Sequence, residues 1–366
     1  MHLDRDPATE NYPVVICMAA YNPPEDLFAR QIESIRAQTH PNWICIICDD
    51  GSPLPVYEKI LRLIGNDTRF QIHRNDHNLG HYGNFEKCMS LVPPEATFVA
   101  LADQDDNWHP DKIERLLAEF DEETTLVYSD MNLTDHAGRV LATSYWGTRL
   151  NQFERLDFLL IANTISGAAC MFRRRLLDDI LPMPVKQPGA FHDHWIGCVA
   201  LAAGKIKYID RPLYDYVQHG ENVIGHAPGV PRSIGAKLMV GLGLFAPWGF
   251  RKRLRAFARV CENRANGPMS YVLQVVRTLE SRFSGRLTQA KELQLRRVGG
   301  LPRSWRSIFW LLLLLCRRRS GVSETNGQEG VLFKAVLWCR YVHFKSWLLC
   351  RFRQRPPKST GASKSL

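Results

Sequence analysis

The sequence predicts an α/β fold, with a mostly parallel mixed sheet flanked by helices and a basic, mainly helical extension behind it. Three observations carry that expectation. Up to about residue 230, apolar runs of strand length alternate with segments whose apolar residues recur at helical spacing. Three of those runs end in clusters of Asp, Asn and Gly. Beyond that point the alternation stops and arginine-rich helical segments take over.

The elements follow in order. Residues 14–18 form an apolar run, and 27–37 carry Leu27, Ile32 and Ile35 at roughly helical spacing. A second strand spans 44–48, a helix 56–64 and a third short strand 70–72. A helix over about 83–91 leads to a strand at 97–101, a helix at 111–120 and a strand at 126–128. Such a βαβα succession implies parallel strands with helices on both faces, and ligands of such sheets bind beyond the carboxyl ends of the strands. The polar clusters lie at those ends: Tyr21-Asn22-Pro23, Asp49-Asp50-Gly51-Ser52 and the run from Asp103 to Asp106. Each alone reads equally well as a turn or a helix cap. Three in succession point to a site.

Of these, the run Ala102-Asp103-Gln104-Asp105-Asp106-Asn107-Trp108 says most about chemistry. Carboxylates so close repel one another unless a cation or protons share the site. A hard divalent cation that also holds phosphate oxygens suits such oxygen ligands.

Charge divides the 366 residues sharply. Residues 1–229 hold 20 Lys and Arg against 32 Asp and Glu, whereas residues 230–366 hold 27 against 5. The second half therefore invites an anionic partner. The ten cysteines show no disulfide framework, and Cys45 and Cys48 sit inside an apolar strand, where they read as buried thiols. Residues 1–12 are polar and charged rather than signal-like, so an intracellular, reduced protein is expected. No stretch reaches the roughly 20 apolar residues a membrane span needs. No G-x-G-x-x-G follows the first strand, which speaks against a dinucleotide-binding dehydrogenase.

Taken together, Val15-Ile16-Cys17-Met18-Ala19-Ala20-Tyr21-Asn22, Cys48-Asp49-Asp50-Gly51-Ser52 and Ala102 through Lys112 resemble, in order and spacing, a family 2 glycosyltransferase of the GT-A fold. The resemblance covers about residues 13–225. The Asp-Gln-Asp-Asp-x-Trp form is similar to a rhamnosyltransferase-like branch of bacterial surface-polysaccharide enzymes. It implies a GT-A domain over 13–228; beyond that, composition and helical spacing predict a basic helical region over 229–355 and a disordered tail over 356–366.

The resemblance also implies roles. Ala19, Tyr21, Asp50, Asn78, Gly80 and Asp103 would hold the donor, with Tyr21 stacking on a base and Asp50 accepting from the N3–H of uracil or thymine. Asp105, with Asp103 and His219, would hold Mn²⁺ or Mg²⁺. Asp103 could instead reach the ribose, and Asp106 could cap the helix that starts near Pro110. Gly167, His192 and Trp195 would line the acceptor side, and Asp193 would be the catalytic base, its pKa raised if Trp195 desolvates it. A plain helix cap is the competing reading of Asp193, as a packed histidine is of His219. The implied partners are a nucleotide-sugar donor and a glycan or lipid-linked acceptor.

For the basic half, Trp305, Trp310, Trp338 and Trp347 amid arginines suggest docking on the anionic inner face of the cytoplasmic membrane. The basic residues of 331–352 do not gather on one helical face, so the amphipathic signal there is weak. No nucleic acid is expected, since zinc-ligand spacings, RNA-binding motifs and a helix-turn-helix signature are all missing. A metal-dependent phosphate-ester hydrolase and a non-catalytic polyanion-binding protein are the rival functions.

Overall fold

The computed structural model describes residues 13–147, 151–219, 250–319 and 328–353. The polar amino terminus, the 228/229 boundary and the tail over 356–366 lie outside them.

Strand β1 (Val14–Ala20) is the centre of the parallel part of the sheet. It pairs with β2 (Trp43–Asp49) on one side and β4 (Phe98–Ala102) on the other, and β3 (Phe70–Arg74) extends the sheet beyond β2. The registers matter for function. Ala20 lies beside Asp49, and Met18 beside Ala102, so the three polar clusters emerge side by side at one sheet edge. Strands β1, β2 and β4 are buried almost throughout, as parallel strands covered on both faces must be.

Helices α1 (Glu25–Arg36), α2 (Leu54–Ile64) and α3 (Gly80–Ser90) connect these strands. In α1 the first-turn Glu25 and Asp26 and the last-turn Arg36 complement the helix dipole, while Leu27, Phe28, Ile32 and Ile35 are buried. A two-residue strand β5 (Asn107–Trp108) precedes α4 (Lys112–Ala118), which starts later than the sequence suggests.

The second half of the sheet departs from the mostly parallel expectation. Strand order is β3-β2-β1-β4-β8-β6-β9-β5, with β7 (Val140–Ala142) on β6 (Thr124–Asp135). Strand β8 (Cys170–Arg173) runs antiparallel to both β4 and β6, whereas β9 (Lys205–Gln218) runs parallel to β6. Strand β6 outruns the 126–128 expected because neighbours on both sides satisfy its backbone, and the polar Ser129, Asp130 and Thr134 remain buried. Gly167–Ala169 forms a 3₁₀ turn, and the chain is extended only from Cys170 onward. Short helices α5 (Leu156–Leu159) and α6 (Leu177–Ile180) and the longer α7 (His192–Ala203) complete this part.

After the undescribed 220–249 come α8 (Phe250–Arg264), a π-turn over Ala265–Met269 containing Pro268, α9 (Ser270–Arg282) and α10 (Gln289–Gly299). Helices α11 (Trp305–Arg319) and α12 (Gln328–Arg353) follow. These helices pack on the sheet domain. Arg155 and Arg297 both reach the fully buried Asp157. Lys291 Nζ donates to the Gly204 carbonyl at 2.9 Å, and Arg282 lies 5.2 Å over the Trp195 ring. One apolar cluster runs from Val14 to Val336, so the two halves share a core. No described helix is long and apolar enough to cross a membrane. Cys45 and Cys48 are buried free thiols, as their apolar strand suggests.

Candidate active site

The first strand end is built around backbone hydrogen bonds. Gln104 Oε1 accepts from the Tyr21 amide at 2.7 Å and its Nε2 donates to the Tyr21 carbonyl at 3.3 Å. The Tyr21 side chain is left 51% exposed at the cleft edge. Asn22 adopts φ 44°, and its amide donates to Ser52 Oγ at 2.8 Å, tying the first strand end to the second. Gln104 is a residue the motif reading passed over, although it stands in the middle of the aspartate run.

Asp49 and Asp50 point to different tasks, as successive strand residues do. Asp50 accepts from the Asn75 side chain at 2.9 Å and the Leu79 amide at 2.8 Å through Oδ1, and from the Gly80 amide at 2.8 Å through Oδ2. Both oxygens therefore hold the start of α3. Asp50 thus acts as a cap, and three donors compete there with the base contact expected of it. Asp49 is fully buried. Its Oδ2 accepts from the Ser52 amide at 3.2 Å and lies 3.5 Å from Arg74 Nε, while Oδ1 accepts no hydrogen bond among the described residues. Asn78 reinforces the loop, donating to the Asp50 carbonyl at 3.2 Å and accepting from Gly80 N at 2.9 Å. Gly80 sits at φ 72°, a conformation that favours glycine. Ala19 lies one residue inside β1, paired with Cys48.

Asp105 Oδ2 lies 2.8 Å from His219 Nε2, across the full span from β4 to the end of β9. The two side chains that the resemblance assigns to one cation are thus neighbours in space. Burial pushes Asp103 up to about 7, helped by the charges of Asp105 and Asp193. Burial also raises Asp105, and His219 opposes that rise. Asp106 does not cap α4, correcting that reading: Asp111 stands at the cap position and Asp106 is fully buried beside Lys112 and the Val217 backbone.

Lys112 is the second residue that sequence reasoning missed. It is fully buried, donates through Nζ to the Ala168 carbonyl at 2.5 Å, and lies 3.8 Å and 4.3 Å over the rings of Trp108 and Tyr214. Desolvation lowers it to about 7, against the pull of Asp106. The signal was there: Lys112 shares the buried face of α4 with Ile113, Leu116 and Leu117. A lysine on such a face needs a partner.

Asp193 stands in the first turn of α7. Its Oδ1 accepts from Asn163 Nδ2 at 3.0 Å and the His194 amide at 2.6 Å, and its Oδ2 from the Gly167 amide at 3.3 Å. Burial raises it to about 6, and these hydrogen bonds hold the rise back. Gly167 is required sterically, since a Cβ there would lie 2.5 Å from His192 Nε2. His192 stacks on Phe85 at 4.0 Å and burial holds it well below its ordinary pKa. Its Nε2 has no hydrogen-bond partner among the described residues.

Trp195 does not line the site. It is fully buried, and its indole N–H donates to the Ile180 carbonyl at 2.9 Å on the core side of α7. Two residues on from Asp193, the indole lies about 200° around the helix and points elsewhere. The flanking His194 is likewise structural, bonding the Leu159 carbonyl at 2.7 Å.

The donor set fits a hard divalent cation. Asp103 and Asp105 offer oxygens and His219 a borderline nitrogen, within a patch whose crowded acids are pushed toward protonation. Among the described residues no three His, Cys, Asp or Glu side chains form a closed metal cage. A cation here would therefore draw further ligands from substrate oxygens, the habit of Mg²⁺ in phosphate chemistry.

Residues 15–181 match the family model described as Glycosyl transferase family 2. That match spans just under half of the chain. Over 105 residues, 29% of this chain and 40% of the relative, it is 31% identical to the UDP-Glc:alpha-D-GlcNAc-diphosphoundecaprenol beta-1,3-glucosyltransferase WfgD of Escherichia coli. It is 27% identical to the hyaluronan synthase of Pasteurella multocida over 60% of this chain and 21% of that one. The chain covers less than two thirds of the length of either relative. Among solved structures, the mannosyltransferase PcManGT from Pyrobaculum calidifontis in complex with GDP-Man and Mn²⁺ aligns over 91% of this chain and 89% of its own, with a TM-score of 0.47 and 12% identity.

Proposed function

We propose that the chain is an inverting, divalent-metal-dependent glycosyltransferase. It would move a hexosyl or deoxyhexosyl group from a UDP- or dTDP-sugar to a hydroxyl of a glycan or lipid-linked acceptor in surface polysaccharide assembly. The observation that carries the reading is the pairing of a buried acid with an acid-rich strand end. Asp193 is held by three donors, with its pKa near 6, close enough to Asp103 for the two charges to feel each other. That arrangement suits a base beside, but not on, a metal–diphosphate site.

In this reading Asp193 takes the proton of the acceptor hydroxyl, whose oxygen attacks the anomeric carbon from the face opposite the nucleotide. Asn163, Gly167 and His194 orient the carboxylate for that task. Asp103, Asp105 and His219 would hold Mn²⁺ or Mg²⁺, which supplies charge neutralisation for the departing diphosphate. Asp49, with its spare buried oxygen, takes over the contact with the pyrimidine N3–H, and the exposed Tyr21 ring offers a stacking face. Gly80 and the Asn78 loop lie along the donor.

The carboxyl-terminal helices support docking on an anionic membrane surface, on the cytoplasmic side where lipid-linked acceptors would be met. On α11 the exposed Trp305, Phe309, Leu312 and Leu313 share one face, while Ile308, Leu311 and Leu314 pack inward. Phe309→Ser with Leu313→Ser should reduce sedimentation with phosphatidylglycerol vesicles; unchanged sedimentation would remove that surface.

The enzymatic reading is tested by a thermal-shift panel of UDP-, dTDP- and GDP-sugars with and without Mn²⁺. A metal-dependent shift with one pyrimidine donor is expected. Hydrolysis of the donor at full rate without any acceptor would favour a phosphate-ester hydrolase instead.

A further inference from the structure

A second cavity lies far from the aspartates in sequence, among the carboxyl-terminal helices. It encloses about 990 Å³ between α9, the α10–α11 turn and α12. Four arginines line it, Arg277, Arg296, Arg303 and Arg340, and Glu280 is the one carboxylate of its lining. Arg296 lies 3.5 Å from Glu292, but Arg277, Arg303 and Arg340 have no carboxylate within ion-pair distance among the described residues. Arg340 is pinned: its Nη2 donates to the Arg303 carbonyl and its guanidinium stacks 4.3 Å over the Trp305 ring. Its Nε is buried without a hydrogen-bond partner among the described residues.

Guanidinium groups gathered in one cavity repel each other, so an empty arginine cluster is costly unless an anion shares it. Planar guanidinium forks match phosphate oxygens better than ammonium groups do. Leu273, Val276 and Trp338 give the same space an apolar stretch of wall, beside the polar Asn266 and His343. The space is large for a bare phosphate and of the size that takes an organic ligand.

We propose that this cavity binds the phosphate headgroup of a molecule that also carries an apolar chain. The arginines take the phosphate, and Leu273, Val276 and Trp338 take the first part of the chain. Trp305, on the exposed α11 face, stacks directly on Arg340 and so joins the cavity to the apolar stripe beside it. The inference rests on the membrane reading of these helices for the apolar chain, but not on the glycosyltransferase reading.

The test is titration of the full chain with a short-chain phosphatidic acid below its micelle concentration, with inorganic phosphate and diphosphate as controls. Wild type should bind the phosphatidic acid at least tenfold more tightly than either control. Arg277→Gln with Arg303→Gln should weaken it tenfold or more, while Arg277→Lys with Arg303→Lys should lose less, with melting temperature and donor-nucleotide shift unchanged in both. Equal affinity for phosphatidic acid and inorganic phosphate would overturn the proposal in favour of a free-anion site. Unchanged binding in the Gln variant would also overturn it. Vesicle sedimentation of the same variants separates the sources. Loss with phosphatidylglycerol vesicles assigns the site to bilayer lipid. Retention there, with loss of monomeric binding, assigns it to a single phosphorylated amphiphile and leaves the membrane docking of α11 to stand or fall alone.

Discussion

The Lys112 ammonium donates to the carbonyl of Ala168, the residue that follows Gly167. Ala168 belongs to the turn whose Gly167 amide holds Asp193, and Lys112 also feels Asp106 and Asp103. One buried cation thus braces the aspartate strand end against the turn that holds Asp193. Lys112→Met should cost roughly 3–5 kcal/mol, the cost of leaving buried acids without their counter-charge. Chemical denaturation checks this. A loss under 1 kcal/mol would show that Lys112 is dispensable to the fold.

Asp193 sets a pH dependence. If it is the proposed base it must be deprotonated to act, so kcat/KM should rise about tenfold per pH unit below about 6 and level off above it. Asp193→Asn should lower the rate by about 10²–10⁴ and leave donor binding in place. Stability runs the other way. The folded-state pKa lies above the ordinary 3.8, so the fold prefers the protonated acid and loses that preference as pH rises through about 6. The melting temperature of the Asn variant relative to wild type should therefore increase between pH 5 and pH 8. A difference constant across that range would show that Asp193 does not titrate there.

Asp49 and Asp50 should separate cleanly on substitution. Asp50→Ala removes the acceptor of three donors at the start of α3 and should cost about 1–3 kcal/mol. Asp49→Ala should instead act on nucleotide choice, narrowing the preference for a uridine or thymidine donor over a cytidine one. Competition binding with UDP and CDP reads the second effect. An unchanged ratio would return the base contact to another residue.

Gly167→Ala should cost about 1–3 kcal/mol because its Cβ meets the His192 ring. In a double-mutant cycle, His192→Ala should relieve part of that cost, and additive effects would exclude the clash as its cause.

How much of this was legible before the structure depends on range. Val14–Ala20, Trp43–Asp49 and Phe98–Ala102 show as apolar runs because parallel strands are buried on both faces, and the alternating helices fix their direction. Strand β6 was cut short because its buried Ser129, Asp130 and Thr134 look like a strand end when their neighbours β8 and β9 are unseen. In the site, Asp105 and His219 could be paired only by family resemblance, since 114 residues separate them. The division of labour between Asp49 and Asp50 depends on where Leu79 and Gly80 present their amides, which no spacing encodes. Trp195 misled for a related reason: beside Asp193 in sequence, it is turned away from it by the helix.

The core shared between the sheet and the carboxyl-terminal helices has a geometric consequence. Arg155 and Arg297 meet at Asp157, so the helices are fastened to the sheet by charge as well as by packing. A molecule fastened this way is a caliper with a set gap. If α11 rests on a bilayer, the distance from lipid surface to cleft is fixed by the fold, and acceptors are sorted by how far their terminal sugar stands from their anchor.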